Sequence, residues 1–370
     1  MIRFLHASDI HLGKPFGRFP EEVRQRLRQA RQDSIETLAS VAREGGASHV
    51  LLAGDTFDAE TPSRTVLRHA MNAMAGEGDV TWVIMPGNHD HMRATEIWDV
   101  LRREAPENVL LALEPEPLRL TEAAVCLPAP CTTRNPGRDL TEWYEEAATG
   151  RNIRIGLAHG SIRDFRSVDE MGGESGAVIA PDRAKTAGLD YLGFGDWHGR
   201  IEVTPNTWYS GTPEADSFKS HRPAGALLVE IAGPGAAPKV TEVETGRIDW
   251  ISLALDLLAD DDGADRLRSA LPERNVRSRT MIEVRPEGKL GLASRAELDQ
   301  AIDDVAPDFL WCDHDLSGLG VVHELTDLDQ IDDRGAVRDA ANRLAEAADN
   351  GDDVASAALS RLFSYAMEVR

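Results

Sequence analysis

The chain lacks the features that would place it in a membrane or in an oxidising compartment. No apolar run reaches the roughly 18 residues a membrane span requires, and the opening "MIRFLHASDI" is too short and too polar for a secretion signal. Both absences predict a cytoplasmic protein with no membrane partner. Cysteine is scarce: Cys126, Cys131 and Cys312 are odd in number and show no CxxC spacing. That excludes a disulfide framework and a zinc ribbon, and predicts plain thiols. No GxxxxGK[ST] stretch, internal repeat or low-complexity tract occurs, so any ATP dependence must come from another chain.

Positive charge is also short. The formal net charge is −23, against the lysine and arginine excess that counterion release rewards on a nucleic acid. The distribution qualifies this total. Residues 246–370 hold 14 Lys and Arg against 27 Asp and Glu, leaving 26 against 36 in the first 245 residues. Several of those N-terminal carboxylates stand where metal ligands are expected, and two divalent cations would neutralise them. A phosphate-bearing substrate is therefore compatible with the charge.

What is present is a series of short apolar runs that stop at polar clusters: "IRFLHASDIH", "HVLLAGDTFD", "VTWVIMPGNHD", "IRIGLAHGS" and "LDYLGFGDWHGR". Continuous β-branched and leucine-rich runs of this length read as buried strands. Between the first two, Val23, Leu27, Ala30, Ser34, Leu38 and Val41 recur at helical spacing and Gly45 and Gly46 supply the stop. "PSRTVLRHAMNAMAGEG" and "ATEIWDVLRREAP" predict two more helices, giving β-α-β organisation and an α/β fold. From residue 200 the shorter alternating segments suit antiparallel strands, with "AGPGAAP" as a hairpin loop. "RTMIEVRPEG", "SRAELDQAIDDVAP" and "DFLWCDHDL" read as strand, helix, strand, followed by a helical tail that "DNGDD" splits in two. The expected division is 1–245, 246–331 and 332–370.

Every predicted strand delivers acid, imidazole or amide groups at its carboxyl end, where open sheets place their sites. Asp9 and His11 follow the first strand, Asp55 and Asp58 the second, Asn88, His89 and Asp90 the third, His159 the fourth, and Asp196 and His198 the fifth. Singly, DxH or GDxxD is an ordinary turn and a lone histidine after a strand is more often satisfied than ligating. The ordered series predicts a two-metal site. Carboxylate, amide and imidazole without thiolate suit manganese or iron better than copper. A bridging carboxylate sets two such ions about 3.5–4 Å apart, where they activate a water for in-line attack on phosphorus.

The series "SDIH", "GDTFD", "GNHD", "AHG" and "GDWH" resembles the calcineurin-like metallophosphoesterases. "FLHASDIHLG", "LLAGDTFD" and "WYSGTPEADSF" narrow the resemblance to the SbcD-type DNA repair exonucleases, relatives of the eukaryotic meiotic-recombination nuclease. It covers residues 1–220 by motif and the remainder by organisation alone. It implies a four-layer α-β-β-α metallophosphoesterase sandwich with a small α/β capping module and C-terminal helices. It also implies two divalent ions, manganese first, with iron or magnesium as alternatives. Asp9, His11 and His198 would hold the first ion, Asp55 would bridge, and Asn88, His159 and Asp196 would hold the second. His89 would protonate or stabilise the leaving oxygen, with Asp58 accepting its hydrogen bond.

Two positions depart from the resembled pattern. Asp58 stands where the DNA nucleases often carry histidine. Asp196 stands where the family usually reads GHxH, and its oxygens lie closer to the backbone than the outer imidazole nitrogen does. Direct or water-bridged ligation by Asp196 is the expectation.

The function expected is a metal-dependent DNA nuclease, with exonuclease or endonuclease action, in DNA repair or defence. Its partners would be DNA, an ATPase of the structural-maintenance-of-chromosomes type, and a second copy of the chain paired through helices 62–76 and 94–104. Leu344, Val354, Ala358, Leu362 and Tyr365 of the tail are expected to dock the ATPase. Two alternatives stand beside this: a phosphatase or phosphodiesterase for a small phosphoester or cyclic nucleotide, and a binding subunit of a DNA complex with a weakened site. His6 is expected in the core or behind a ligand, "CDHD" (312–315) at a solvated strand end, and Arg24, Arg26, Arg28 and Arg31 on a solvated helix face.

Overall fold

A computed structural model describes residues 1–163, 179–219, 223–322, 331 and 335–368. Backbone contacts divide the chain into two compact units, Met1–Ile248 and Asp249–Arg370.

In the first unit, β1 (Ile2–Ala7), β2 (His49–Leu52), β3 (Thr81–Ile84) and β4 (Val109–Leu111) run parallel, and β11 (Gly225–Ile231) with β12 (Lys239–Glu244) extend the sheet antiparallel beyond β1. A second sheet has the order β5 (Leu118–Arg119), β6 (Ala124–Ala129), β7 (Ile153–His159), β8 (Tyr191–Gly195), β10 (Thr207–Tyr209), β9 (Ile201–Thr204), with β6, β7, β8 and β10 parallel. The "AGPGAAP" loop joins β11 to β12, as expected of a hairpin.

Side-chain alternation explains why the strand sequences are continuously apolar. Leu5 and Ala7 of β1, Val50 and Leu52 of β2, and Trp82 and Ile84 of β3 face one core, with α1 (Glu21–Glu44), α2 (Arg64–Gly76) and α3 (Thr95–Glu104). Phe4, Leu51 and Val83 face the opposite way and meet Cys126, Ile155, Leu157 and Tyr191 of the second sheet. The outer face of that sheet, with Leu192 and Phe194, is covered by Tyr144 and by Ala184 of α4 (Arg183–Thr186). The result is the expected helix, sheet, sheet, helix layering, with the central strands β1, β2, β3, β6, β7 and β8 buried on both faces. Pro128 sits within β6, where β5 reaches only as far as Cys126 and leaves that side of the strand open.

The three predicted helices form where the periodicity places them. Ser63 Oγ caps α2 by accepting from Val66 N at 3.3 Å. Leu67, Ala70, Met71, Met74, Ile97, Trp98 and Leu101 are all buried in this chain's own core. A pairing surface on these two helices would therefore use their polar outer faces, with Arg64, Arg68 and His69 exposed.

The second unit is built on β14 (Thr280–Gly291), to which β13 (Asp249–Leu257), β15 (Trp311–His314) and β16 (Leu319–Val322) all pair in parallel. α5 (Gly263–Ala270), the short α6 (Arg274–Arg277) and α7 (Leu292–Val305) follow along the chain, and α5 and α7 bury Leu267, Leu298 and Ile302 against the sheet. The tail helices Ala336–Asp349 and Asp353–Glu368 pack Ala341, Ala345, Leu359 and Phe363 on Leu292. Of the apolar positions expected to dock a partner, Leu344 and Leu362 are partly buried in this cluster, whereas Val354 and Tyr365 are 79% and 62% exposed. The expected boundary at 331/332 adjoins residues 323–330 and 332–334, which lie outside the described residues. Among the described residues no helix is long and apolar enough to cross a membrane.

Candidate metal centre

The five strand ends converge. β1, β2 and β3 of the first sheet and β7 and β8 of the second terminate at a common edge, and the chain turns there under constraint. Among the described residues five non-glycine positions have positive φ, and four of them are Asp9 (55°), His11 (48°), Asp55 (52°) and Asp196 (97°). This conformation costs free energy in residues with a Cβ and persists only where the surroundings enforce it. Here the backbone enforces it: Asp9 N donates to Gly54 O at 3.1 Å and His11 N to Asp55 O at 2.9 Å, which carries strand-like pairing into both loops. The glycines permit the close approach. A Cβ on Gly87 would stand 2.2 Å from Asp55 Oδ1, and one on Gly195 would stand 2.2 Å from Ala53 O.

Asp9, His11, Asp55 and His159 are almost wholly buried, while Asp58, Asn88, His89, Asp196 and His198 form a half-buried rim. His11 Nε2 lies 3.6 Å from Asp55 Oδ2 and 3.9 Å from Asp9 Oδ1. His159 Nε2 lies 3.5 Å from the same Asp55 Oδ2. Asp55 thus stands between the two imidazoles, while its other oxygen accepts from His89 N at 2.8 Å. Donor atoms of Asp9, His11 and His198 fall within 4.8 Å of one another, as do those of Asp9, Asp55 and His159.

Whether these residues fit a metal is tested by the polar atoms left over. His11 Nε2, His159 Nε2 and Asn88 Oδ1 are buried without a hydrogen-bond partner, and an unsatisfied buried polar atom is costly. Each is a good ligand atom for a hard or borderline divalent cation, and the two imidazole nitrogens face the Asp9 and Asp55 carboxylates. His159 Nδ1 bonds to Ala53 O at 2.8 Å, and because a carbonyl only accepts, that nitrogen carries the hydrogen and Nε2 is left to ligate. Burial alone would lower the pKa of His159, but Asp55 and Asp9 hold it well above the ordinary histidine range. His11 is lowered, chiefly by burial. The donor set fits a pair of cations.

One expected role is reassigned. His89 Nδ1 bonds at 2.8 Å to the backbone carbonyl of Asp58, not to its carboxylate. The carboxylate instead lies 3.2 Å from His11 Nδ1. The turn after Asp55 brings the Asp58 carbonyl under His89 and sends the side chain across to the first loop.

Two positioning carboxylates lie outside the expected set. Asp90 is fully buried, accepts from Gly87 N at 2.6 Å and from Phe57 N at 3.0 Å, and so ties the GNHD loop to the GDTFD loop. Burial and then Asp55 push its pKa up to about 7. Asp216 lies 3.4 Å from His198 Nδ1 and 3.2 Å from Arg31 Nη2, with Lys14 as a third partner. Burial would raise its pKa, but these three neighbours hold it below the usual carboxylate range. Asp216 fixes the ring of His198 and leaves Nε2 for a cation.

Arg31 corrects the expectation of a solvated arginine face. Arg24 and Arg28 lie on that face and pair with Glu21, whereas the Arg31 side chain is 1% exposed and donates to Asp9 O, Ile10 O and Glu214 O. It cross-links the first loop to the 210–216 loop. "WYSGTPEADSF" therefore acts beneath the site: Ser210 bonds Ser8, Thr212 Oγ1 donates to Asp9 O at 2.9 Å, and Asp216 holds His198. Neither acid of "PEADSF", Glu214 or Asp216, gives a signal of this, because the partners are remote in sequence.

The remaining candidates are structural. His6 is fully buried, bonds Tyr191 OH at 2.9 Å and is lowered by burial to a pKa of about 3, so it is a neutral core histidine. Asp313, His314 and Asp315 are exposed at the end of β15. Burial raises the thiols of Cys126 and Cys131 to about 12 and Cys312 to about 11, and all three are free.

Residues 2–200 match the sequence profile of the calcineurin-like phosphoesterases. The chain is 26% identical over 246 residues to the uncharacterized metallophosphoesterase YhaO of Bacillus subtilis (strain 168), an alignment covering 62% of this chain and 57% of that one. The match thus spans little more than half the length of that relative. A solved structure of TT1561 from Thermus thermophilus overlays 65% of this chain and 98% of its own at 11% identity, with a TM-score of 0.40. Another solved structure gives 13% identity and a TM-score of 0.39 at the same coverage.

Proposed function

The chain belongs to the calcineurin-like phosphoesterase family, and we propose that it is a divalent-metal-dependent DNA nuclease, with manganese as the working ion. The observation that carries the metal-dependent hydrolysis is the set of buried, unsatisfied ligand atoms, His11 Nε2, His159 Nε2 and Asn88 Oδ1, around the Asp9 and Asp55 carboxylates. Asp9, His11 and His198 would hold one ion, Asn88 and His159 the other, and Asp55 both. Two divalent ions there supply Lewis-acid polarisation of a phosphoryl oxygen and lower the pKa of water.

His89 is the acid for the leaving oxygen. The Asp58 carbonyl fixes its first proton on Nδ1, so the proton that can be delivered is the one on Nε2. The buried carboxylates set the charge, and Asp90 and Asp216 hold the loops that carry it.

DNA as substrate is supported by the likeness of "FLHASDIHLG", "LLAGDTFD" and "WYSGTPEADSF" to the SbcD-type exonucleases. It is also supported by the accessible rim, where the His198, Asp196 and Asp58 side chains are 34%, 28% and 19% exposed, as contact with a large substrate requires. An SMC-type ATPase is proposed as partner, with the exposed Val354 and Tyr365 as its footing. A homodimer through the outer faces of α2 and α3 is proposed with it, in the cytoplasm.

Purified full-length chain with manganese, offered labelled linear duplex, single strand, nicked plasmid and a chromogenic phosphate ester, tests the substrate. Cleavage of DNA supports the nuclease. Hydrolysis of the ester with no cleavage of DNA under any divalent metal would overturn it in favour of a small-phosphoester enzyme, and no hydrolysis at all would leave a binding subunit.

A further inference from the structure

Asp196 stands where a metal ligand is expected, yet among the described residues it joins none of the acid and imidazole groups whose donor atoms converge within 4.8 Å. Its oxygens are engaged otherwise. Oδ1 accepts from Asn88 Nδ2 at 3.1 Å, and Oδ2 accepts from Ser161 Oγ at 3.0 Å. Its backbone N–H donates to the Asp9 carboxylate at 3.1 Å, which secures the unusual φ of 97°. The nearest imidazole nitrogen, His159 Nε2, is 3.9 Å from Oδ1.

We propose that Asp196 is a positioning residue that serves the second cation through Asn88. This rests on the two-cation reading above. An amide presents a donor on one side and an acceptor on the other, and its terminal torsion is broad and nearly two-fold, so on its own it does not choose which end meets the cation. An ionised carboxylate can only accept. The Asp196 contact therefore turns Nδ2 away from the centre and commits Oδ1 to it, and Oδ1 is the atom left buried and unsatisfied. Ser161 holds the carboxylate in turn, so the order of action is Ser161, Asp196, Asn88, cation. An aspartate thus does at this position, by fixing another ligand, what its short reach does not let it do by direct contact.

The test is a manganese titration of the full-length, EDTA-stripped chain, with free Mn2+ counted by electron paramagnetic resonance. Two ions per wild-type chain are expected; none would overturn the two-cation reading itself, independently of Asp196. Asp196→Ala should weaken the second ion about 10- to 100-fold, the range for loss of a ligand's hydrogen-bond partner, and leave the first ion and the far-ultraviolet circular dichroism unchanged. The Asn88→Ala, Asp196→Ala double variant should bind the second ion within about twofold of Asn88→Ala alone, because two residues acting in series are not additive. Losses that multiply would show direct ligation and overturn the proposal. So would an Asp196→Ala chain that binds both ions like the wild type. Asp196→Asn should retain most of the affinity, since its carbonyl can accept from Asn88 and the Ser161 hydroxyl can turn to accept from its amide. A loss as large as that of Asp196→Ala would put the effect in the charge and overturn the hydrogen-bond account.

Discussion

Asp216→Ala should be among the most damaging single changes outside the ligands. The Asp216 side chain is 7% exposed and Arg31 beside it 1%, at 3.2 Å. Removing one partner of a buried pair leaves an uncompensated charge, a loss of about 3–5 kcal/mol. Arg31 keeps three carbonyl acceptors, Asp9 O, Ile10 O and Glu214 O, so the lower end applies, about 3 kcal/mol. The first unit spans Met1–Ile248. For a unit of that size the melting temperature falls about 2–4 °C per kcal/mol, or about 6–12 °C in all.

The pH dependence has a definite sign. Because the folded-state pKa of Asp216 is depressed, its stabilisation is complete above the ordinary carboxylate range and is lost only as pH falls through the folded value. The difference between wild type and variant should then be fully present at about pH 5–6 and shrink in strong acid. Burial would lower the pKa of His198, but Asp216 raises it, so part of the difference is lost again as pH rises through that raised folded value. Scanning calorimetry on the metal-stripped chain measures the shift. A drop below about 2 °C, less than 1 kcal/mol, would refute the burial argument. His198 also loses its orienting carboxylate, so affinity for the first Mn2+ should fall about 10- to 100-fold.

His89→Ala should lower turnover about 10²- to 10⁴-fold with both ions still bound; turnover that survives would remove His89 from the chemistry. Gly87→Ala should cost manganese binding as well as stability, because the new Cβ would stand 2.2 Å from Asp55 Oδ1; equilibrium dialysis showing unchanged binding would contradict it. Manganese affinity should rise with pH through neutrality. His159 is held above its ordinary pKa in the metal-free chain, so the cation must displace a proton from it. Calorimetric titration in buffers of different ionisation enthalpy counts that proton, and a count of zero at pH 7 would refute the protonated state.

Much of the site was legible because metal ligands are short-range features of the chain. A strand end offers few residues, and Asp9, His11, Asp55, Asn88, His159 and His198 stand at the ends of β1, β2, β3, β7 and β8 with glycines beside several of them. Asp216, Arg31 and Asp90 were not legible in their roles. Each acts on residues of a different loop, and nothing in "PEADSF" or in a helix rich in arginine marks which residue folds inward. Arg24, Arg28 and Arg31 share one face of α1 at i, i+4 and i+7, and the helix period alone does not say which turn of that face meets the loops at Asp9 and Glu214.

By itself the sequence determined the five strands that end at the site, the three helices α1, α2 and α3, and the residue types of the candidate metal centre, because hydrophobic runs, helical period and ligand chemistry are all written locally; β4, β5, β6 and α4 carried no such signal. Only the tertiary structure decided the hydrogen-bond partners: that Asp58 meets His89 through its carbonyl and His11 through its carboxylate, that Asp216 orients His198, and that Asp196 faces Asn88 and Ser161. Such choices depend on distances of about an ångström between loops from two different sheets, set by how the sheets pack and by left-handed turns at Asp9, His11, Asp55 and Asp196. A one-dimensional pattern carries no record of them.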